Sequence, residues 1–207
     1  MRRGAGETVD GMFFSKRLLD RVAARNDPKC PAGWHVTYAG RVNRDFREIE
    51  HFVPLATRVM DIGSGFAGID VLLGRDSGVT WVHLIDGDGS GDRNAGFANT
   101  MLPWYDVRLG AQLVRDNVRH AKVTTVVVPP IPQPWSADMV ISLKSWGHHY
   151  PVGVYLDLVK RSLRPGGYVI LDIRTGSGGR HNLEAAGFVF MARVGGTIKT
   201  DRMVFRR

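Results

Sequence analysis

One stretch, Val59-Met60-Asp61-Ile62-Gly63-Ser64-Gly65-Phe66-Ala67-Gly68, constrains this chain more than any other. An apolar run of β type, interrupted only by Asp61, ends in glycines. Ile69-Asp70-Val71-Leu72-Leu73 then reads as a helix. Strand, tight turn and helix N-terminus together make a cradle for a nucleotide-like ligand. Gly63 lets the chain leave the strand sharply, Gly65 lets backbone approach the ligand, and Gly68 lets the new helix pack closely on the sheet. Glycines are common in surface loops, so the weight of this pattern rests on its context.

That context begins about 20 residues on, as a dinucleotide fingerprint requires. Thr80-Trp81-Val82-His83-Leu84-Ile85 reads as a second strand, and Asp86 stands at its end, where a carboxylate can accept hydrogen bonds from both hydroxyls of a ribose. A nicotinamide dinucleotide or S-adenosylmethionine (SAM) satisfies both features. Asp61 favours SAM: a carboxylate at that turn repels an anionic pyrophosphate but attracts the ammonium and sulfonium of the methionine part.

Asp61-Ile-Gly-Ser-Gly-Phe-Ala-Gly68 followed by Leu84-Ile-Asp86 resembles the first two motifs of class I SAM-dependent methyltransferases. Ala137-Asp-Met-Val-Ile-Ser-Leu143 is similar to that family's fourth strand, and Leu163-Arg-Pro-Gly-Gly-Tyr-Val-Ile-Leu171 to its turn into the fifth. The resemblance covers residues 55 to 207, in the family's order. It implies an α/β, Rossmann-like three-layer sandwich with a seven-stranded, mostly parallel sheet and a C-terminal antiparallel hairpin. Residues 53–207 would form this domain, and residues 1–52 a helical N-terminal extension. SAM would be the cofactor, held by Asp61, Gly63, Ser64, Gly65, Gly68, Asp86, Gly87, Ser142 and Leu143. No metal is expected.

A chain of 207 residues suits one domain with a full core. No apolar run approaches the about 18 residues that span a bilayer. The N-terminus has two arginines but no apolar region behind them, so a secretory signal is not expected. Cys30 is the only cysteine, which excludes an internal disulfide. A cytoplasmic setting is the default expectation. The net charge of +8 and pI near 10.1 suit an anionic partner. Lys160, Arg161, Arg164, Arg174, Arg180, Arg193, Lys199, Arg202, Arg206 and Arg207 crowd the C-terminal part. Nucleic acid bound to that face and a merely solvated basic face stay open as alternatives.

Along the chain, residues 1–10 are expected without structure. A helix through Phe14, Leu18, Leu19 and Val22 should stop near Asn26-Asp27-Pro28. Pro31 to Trp34 reads as a loop, and a second helix from Asn43 to His51 delivers the chain to the first strand. Gly87 to Gly96 is glycine-rich and polar, too long for an ordinary connection, and reads as a flap over the site. A helix over Tyr105–Ala121 is followed by a buried strand, Val123–Val128. Further strands are Met139–Leu143 and Tyr168–Ile173, with a helix over Val154–Leu163 between them. After a short helix at Leu183–Phe188, strands Phe188–Val194 and Met203–Arg206 pair across Gly195-Gly196.

In open α/β sheets ligands bind beyond the carboxyl ends of the strands. That places the acceptor near Ser142-Leu143-Lys144-Ser145-Trp146-Gly147-His148-His149-Tyr150-Pro151. A hydroxyl acceptor must lose its proton, and a histidine titrating near neutrality can take it. By similarity to sugar-type methyltransferases with a Trp-Gly-x-His-Tyr-Pro-like segment here, His149 is the favoured base, with His148 the alternative. Lys144 is a candidate contact to an anionic acceptor. Trp146 and Tyr150 are either an aromatic wall or core.

The Asn/Asp-Pro-Pro-Tyr/Phe tetrapeptide of amino-methylating relatives is absent. The Lys-Asp-Lys-Glu set of ribose 2′-O-methyltransferases is unmatched, since Leu143 and Asp172 stand where its aspartate and second lysine would fall. Cys30 lies far from any nucleophile position. The reading is therefore O-methylation of a sugar-like or nucleic-acid hydroxyl. A DNA or RNA methyltransferase, a non-catalytic SAM-binding subunit and a nicotinamide-dependent oxidoreductase are its rivals. Oligomeric state is left open.

Overall fold

The structure is a computed structural model that describes residues 5–25, 30–53, 56–90 and 105–207. In chain order it contains a hairpin of β1 (Gly6–Val9) and β2 (Met12–Ser15), then α1 (Lys16–Ala23) and α2 (Trp34–Ile49). The alternating part follows: β3 (Arg58–Ile62), α3 (Gly68–Asp76), β4 (Trp81–Asp86), α4 (Val107–Asn117), β5 (Lys122–Val127), β6 (Ala137–Ser142), α5 (Gly153–Ser162) and β7 (Leu163–Arg174). It closes with α6 (Gly179–Ala185), β8 (Val189–Thr197) and β9 (Thr200–Arg206).

The seven-stranded sheet has the order β5-β4-β3-β6-β7-β9-β8. Pairing is parallel from β5 through β7, and antiparallel on both sides of β9. This is the α/β, mostly parallel sheet with a C-terminal hairpin that the motifs imply. Central strands carry continuous apolar runs because helices cover both faces; every residue of β6 is buried. The direction of strand addition reverses between β3 and β6, so the crevice for a ligand opens at their carboxyl ends.

Several local expectations are corrected. Residues 6–9 are not structureless: they pair with β2 from Gly6↔Ser15 to Val9↔Met12. The N-terminal segment is thus not wholly helical, and its first helix starts only at Lys16, where the Ser15 hydroxyl caps the Leu18 N–H at 3.3 Å. Asn117 holds the hairpin on α4 as a strand would, accepting from the Phe13 N–H (2.7 Å) and donating to the Phe13 carbonyl (2.7 Å). α1 also ends three residues short of Asn26. Helix α2 begins nine residues earlier than expected, at Trp34. Its buried stripe, His35, Ala39, Val42, Phe46 and Ile49, has helical spacing throughout.

Strand β5 is not buried. It is the sheet edge, and each of its residues is at least partly exposed, so its β-branched content reflects strand geometry rather than burial. The closing hairpin turns at Ile198-Lys199, not at Gly195-Gly196. Those glycines lie in β8 beside a register shift, and a Cβ on Gly195 would overlap the Glu48 carboxylate of α2. Residues 91–96 of the expected flap lie outside the described residues. Among the described residues no helix is long and apolar enough to cross a membrane.

Met12, Phe14, Leu18, Val42 and Phe46 belong to the same apolar cluster as Val59, Leu72 and Val82. β2, α1 and α2 therefore contribute to the core on one face of the sheet. Phe14→Ala is expected to lower the unfolding free energy by about 3–5 kcal/mol, in one cooperative transition. A loss below about 1 kcal/mol, or a separate early transition in calorimetry, would show that this segment folds apart from the sheet.

Candidate functional site

The cradle at the end of β3 has the backbone its glycines allow. Gly63 (φ 73°) and Gly65 (φ 56°) are left-handed, and the Gly63 N–H donates to the Ile85 carbonyl at 2.7 Å. A Cβ on Gly63 would also overlap the Ser145 hydroxyl, so turn and acceptor loop touch here. Asp86 leaves the end of β4 and ties the loops together. One carboxylate oxygen accepts the Gly65 N–H and the other the Gly87 N–H, each at 2.7 Å. Burial pushes its carboxyl up to about 6, opposed by those amide hydrogen bonds.

Asp61 and Asp70 lie together beneath the cradle, both buried. Burial pushes Asp61 well above the usual carboxylate range, with the neighbouring Asp70 raising it further, and burial pushes Asp70 up to about 7. Two buried carboxyls so placed disfavour each other's charge, so the pair retains a proton to higher pH than a free aspartate.

A cavity of about 830 Å³ runs from this cradle to the loop after β6. Asp61, Gly63, Ser64, Gly65, Gly68, Asp86, Leu143, Lys144, His148 and His149 are on its wall. Gly87 and Ser142 are not. Gly87 serves Asp86 through its N–H and α4 through its carbonyl, which accepts from Val107 at 3.0 Å. Ser142 is fully buried as a brace, donating to the Ile62 carbonyl (2.7 Å) and accepting from the Trp146 N–H (2.9 Å). Trp146 resolves as core, its indole N–H on the Val152 carbonyl at 2.7 Å. Tyr150 lines the cavity and shares a hydrogen bond with the Ser145 hydroxyl at 2.8 Å.

The loop after β6 is held from β7. The Arg174 N–H donates to the Gly147 carbonyl (2.9 Å) and its Nε to the His148 carbonyl (3.0 Å). The two histidine rings meet edge to face, 4.6 Å apart. His148 Nδ1 is buried and without a hydrogen-bond partner among the described residues. Burial, then the charge of Arg174, lowers the pKa of His148, with Asp172 opposing and Lys144 adding to the shift, so the ring is neutral at physiological pH. Lys144 sits in a left-handed conformation (φ 61°) with its N–H on Asp172 (3.1 Å) and its amine on Asp45 (3.0 Å).

The sequence reading missed the far wall of the cavity, which is α2. Trp34, Tyr38, Arg41 and Asp45 recur at spacings of four, three and four and share one helix face. The Tyr38 hydroxyl accepts the Gly68 N–H at 2.7 Å, and the Trp34 ring stacks on Phe66 at 4.5 Å. A second omission is Arg202. It is 2% exposed and donates to both oxygens of Asp172 (2.8 and 3.0 Å), to Asp45 (2.9 Å) and to Glu48 (2.9 Å). Within a run of C-terminal arginines, nothing in sequence separated this buried one from its solvated neighbours.

No protein-family model matches the sequence, and no curated protein sequence is similar to it. Solved structures are similar. A methyltransferase of Pyrococcus furiosus is 12% identical, with a TM-score of 0.52 over 80% of this chain and 82% of its own. The PH0226 protein of Pyrococcus horikoshii OT3 is 16% identical, with a TM-score of 0.61 over 89% and 98%. The magnesium protoporphyrin IX methyltransferase of Synechocystis PCC 6803, solved with bound SAM, is 16% identical, with a TM-score of 0.55 over 83% and 80%. The fold is that of the class I SAM-dependent methyltransferases. Within that methyltransferase fold, the glycine cradle, Asp61 and Asp86 stand at the carboxyl ends of β3 and β4, beside the switch point of the sheet.

The raised carboxyls make stability depend on pH in a direction that can be checked. Between the ordinary aspartate value of 3.8 and about 7, folded Asp70 holds more proton than unfolded Asp70. Stability contributed by this group is therefore full below pH 4, lost as pH rises to 7, and level above. Asp70→Asn, which mimics the protonated group, should be more stable than wild type at pH 8 by about 1 kcal/mol or more. The gap should close near pH 4 in paired denaturation curves. An equal gap at both pH values would show that the shift is absent.

Proposed function

We propose that this protein is a SAM-dependent methyltransferase that methylates a hydroxyl group of a small, sugar-like molecule. The observation that carries the reading is that one cavity joins the glycine cradle, with its buried carboxylates, to the paired histidines after β6. The residues present fit SAM. The left-handed Gly65 on the cavity wall has no side chain to stand between backbone and ligand, and Asp61 with Asp70 offers negative charge for the ammonium and sulfonium. Asp86 accepts the amides of Gly65, Gly87 and Tyr105, and the lone pair that remains suits a ribose hydroxyl.

When bound, SAM supplies a methyl group on a positively charged sulfur. The chain's part is to hold the acceptor oxygen in line with that methyl carbon and to remove its proton. With the cofactor bound, its sulfonium would supply the methyl group, and a histidine of this chain would take the proton that the acceptor hydroxyl gives up. His149 or His148 has this role. His148 is the one kept neutral by its surroundings, and Lys144 frames the same loop.

A small acceptor is favoured over nucleic acid because four of the C-terminal arginines are paired with carboxylates, Arg202 in the interior and the other three at the surface, which lowers the net charge of that face. Arg164 pairs with Asp138, Arg180 with Glu184, Arg193 with Asp201, and Arg202 with Asp172, Asp45 and Glu48.

Calorimetric titration with SAM tests the cofactor half of the reading. Asp86→Ala should weaken binding at least about tenfold, a loss of roughly 1.4 kcal/mol. Wild type that binds NAD and not SAM would sink it. For the chemistry, alanine replacement of the base histidine should lower turnover by about 10²–10⁴-fold while leaving SAM affinity unchanged. If that base is His148, the acid limb of the pH–rate profile should lie below 6.5, the ordinary histidine value. SAM binding with no turnover on any hydroxyl acceptor would instead favour a non-catalytic subunit.

A further inference from the structure

The charges on the cavity wall are sorted by strand. Asp61 and Asp86 leave the ends of β3 and β4, on the cofactor side. Lys144 follows β6, and Lys199 sits at the turn between β8 and β9, on the opposite side of the switch point. Arg41 reaches the same wall from α2, one turn before Asp45. The backbone places Lys199 beside the histidine loop. Its carbonyl accepts the Thr175 N–H at 3.0 Å, and the preceding Arg174 holds the His148 carbonyl at 3.0 Å.

The acids of that side are already used. Asp45 is the one carboxylate on the wall there, and Lys144 and Arg202 both take it, at 3.0 and 2.9 Å. Arg41 has only the face of Tyr38, 5.5 Å from the ring centre, and it makes no ion pair among the described residues. The Lys199 amine likewise makes no ion pair among the described residues. Two exposed cations, one from α2 and one from the turn between β8 and β9, thus line the cavity that also holds the histidines, and neither is paired with a carboxylate among the described residues. A solvated surface cation points outward, whereas these two line an apolar-walled cavity in which an oxyanion would be strongly held.

We propose that the methyl acceptor is itself anionic, and that Arg41 and Lys199 hold its carboxylate or phosphate while its hydroxyl faces the histidines. The inference rests on the methyltransferase reading and narrows its substrate class. Arg41 suits either oxyanion through its planar pair of donors, and Lys199 adds a compact charge.

The test uses the full chain loaded with S-adenosylhomocysteine and calorimetric binding of matched probes. These are 3,4-dihydroxybenzoate against its methyl ester, and glucose 6-phosphate against glucose. At least one acid should bind tenfold or more tighter than its neutral partner, and which pair responds tells carboxylate from phosphate. In the Arg41→Gln, Lys199→Gln double variant that preference should fall below threefold, with affinity for S-adenosylhomocysteine unchanged. The proposal is overturned if neither acid binds, if the neutral partners bind equally well, or if the preference survives in the double variant. Failure of wild type to bind S-adenosylhomocysteine at all would remove the methyltransferase reading, and this inference with it.

Discussion

The arrangement of this protein depends on one buried guanidinium. Arg202 leaves β9 into a space closed to water and meets Asp172 of β7 with two parallel hydrogen bonds. Its remaining nitrogen reaches Asp45 and Glu48 on α2. Asp172 also takes the N–H of Lys144, and Asp45 takes that lysine's amine. Four segments distant in sequence are joined through these charges: the N-terminal helix, the acceptor loop, a central strand and the closing hairpin. A buried pair of this kind adds little net stability over apolar packing, but removing one member leaves a stranded charge that costs about 3–5 kcal/mol. Its value is in specifying one geometry. The left-handed backbone at Lys144 persists because the surrounding bonds over-determine it.

The other half of the site works by the opposite means. Asp61, Asp70 and Asp86 are buried with few compensating charges, and their carboxyls sit above the usual range. The α2 wall keeps water from relieving that arrangement, since Trp34, Tyr38 and Phe66 pack over the glycine turn. The Tyr38 hydroxyl meanwhile satisfies the Gly68 amide at the start of α3.

Much of this was legible in sequence because the signals are local. A glycine turn between an apolar strand and a helix can be read from ten residues. So can an acid at the end of the next strand, or histidines after the strand beyond. The errors came where one sequence pattern serves two environments. The β-branched run at Lys122–Val127 belongs to an edge strand, since strand propensity records pleated geometry and not which neighbours are present. Gly195-Gly196 reads as a turn, yet it makes room for Glu48. Ser142 stands at the expected cofactor position and is a brace inside the sheet.

The sequence by itself determined the order of strands and helices from β3 onward, the cradle, and the types of group available for chemistry, because each follows from neighbours within one turn or one strand. Tertiary structure alone decided which groups face one another. Arg41 and Lys199 are separated by most of the chain, and only the crossing of α2 over the sheet and the return of the hairpin bring them to one cavity. Arg202 is one arginine among many until packing removes its water. Burial and charge pairing depend on distances in space, and the chain's linear order does not contain them.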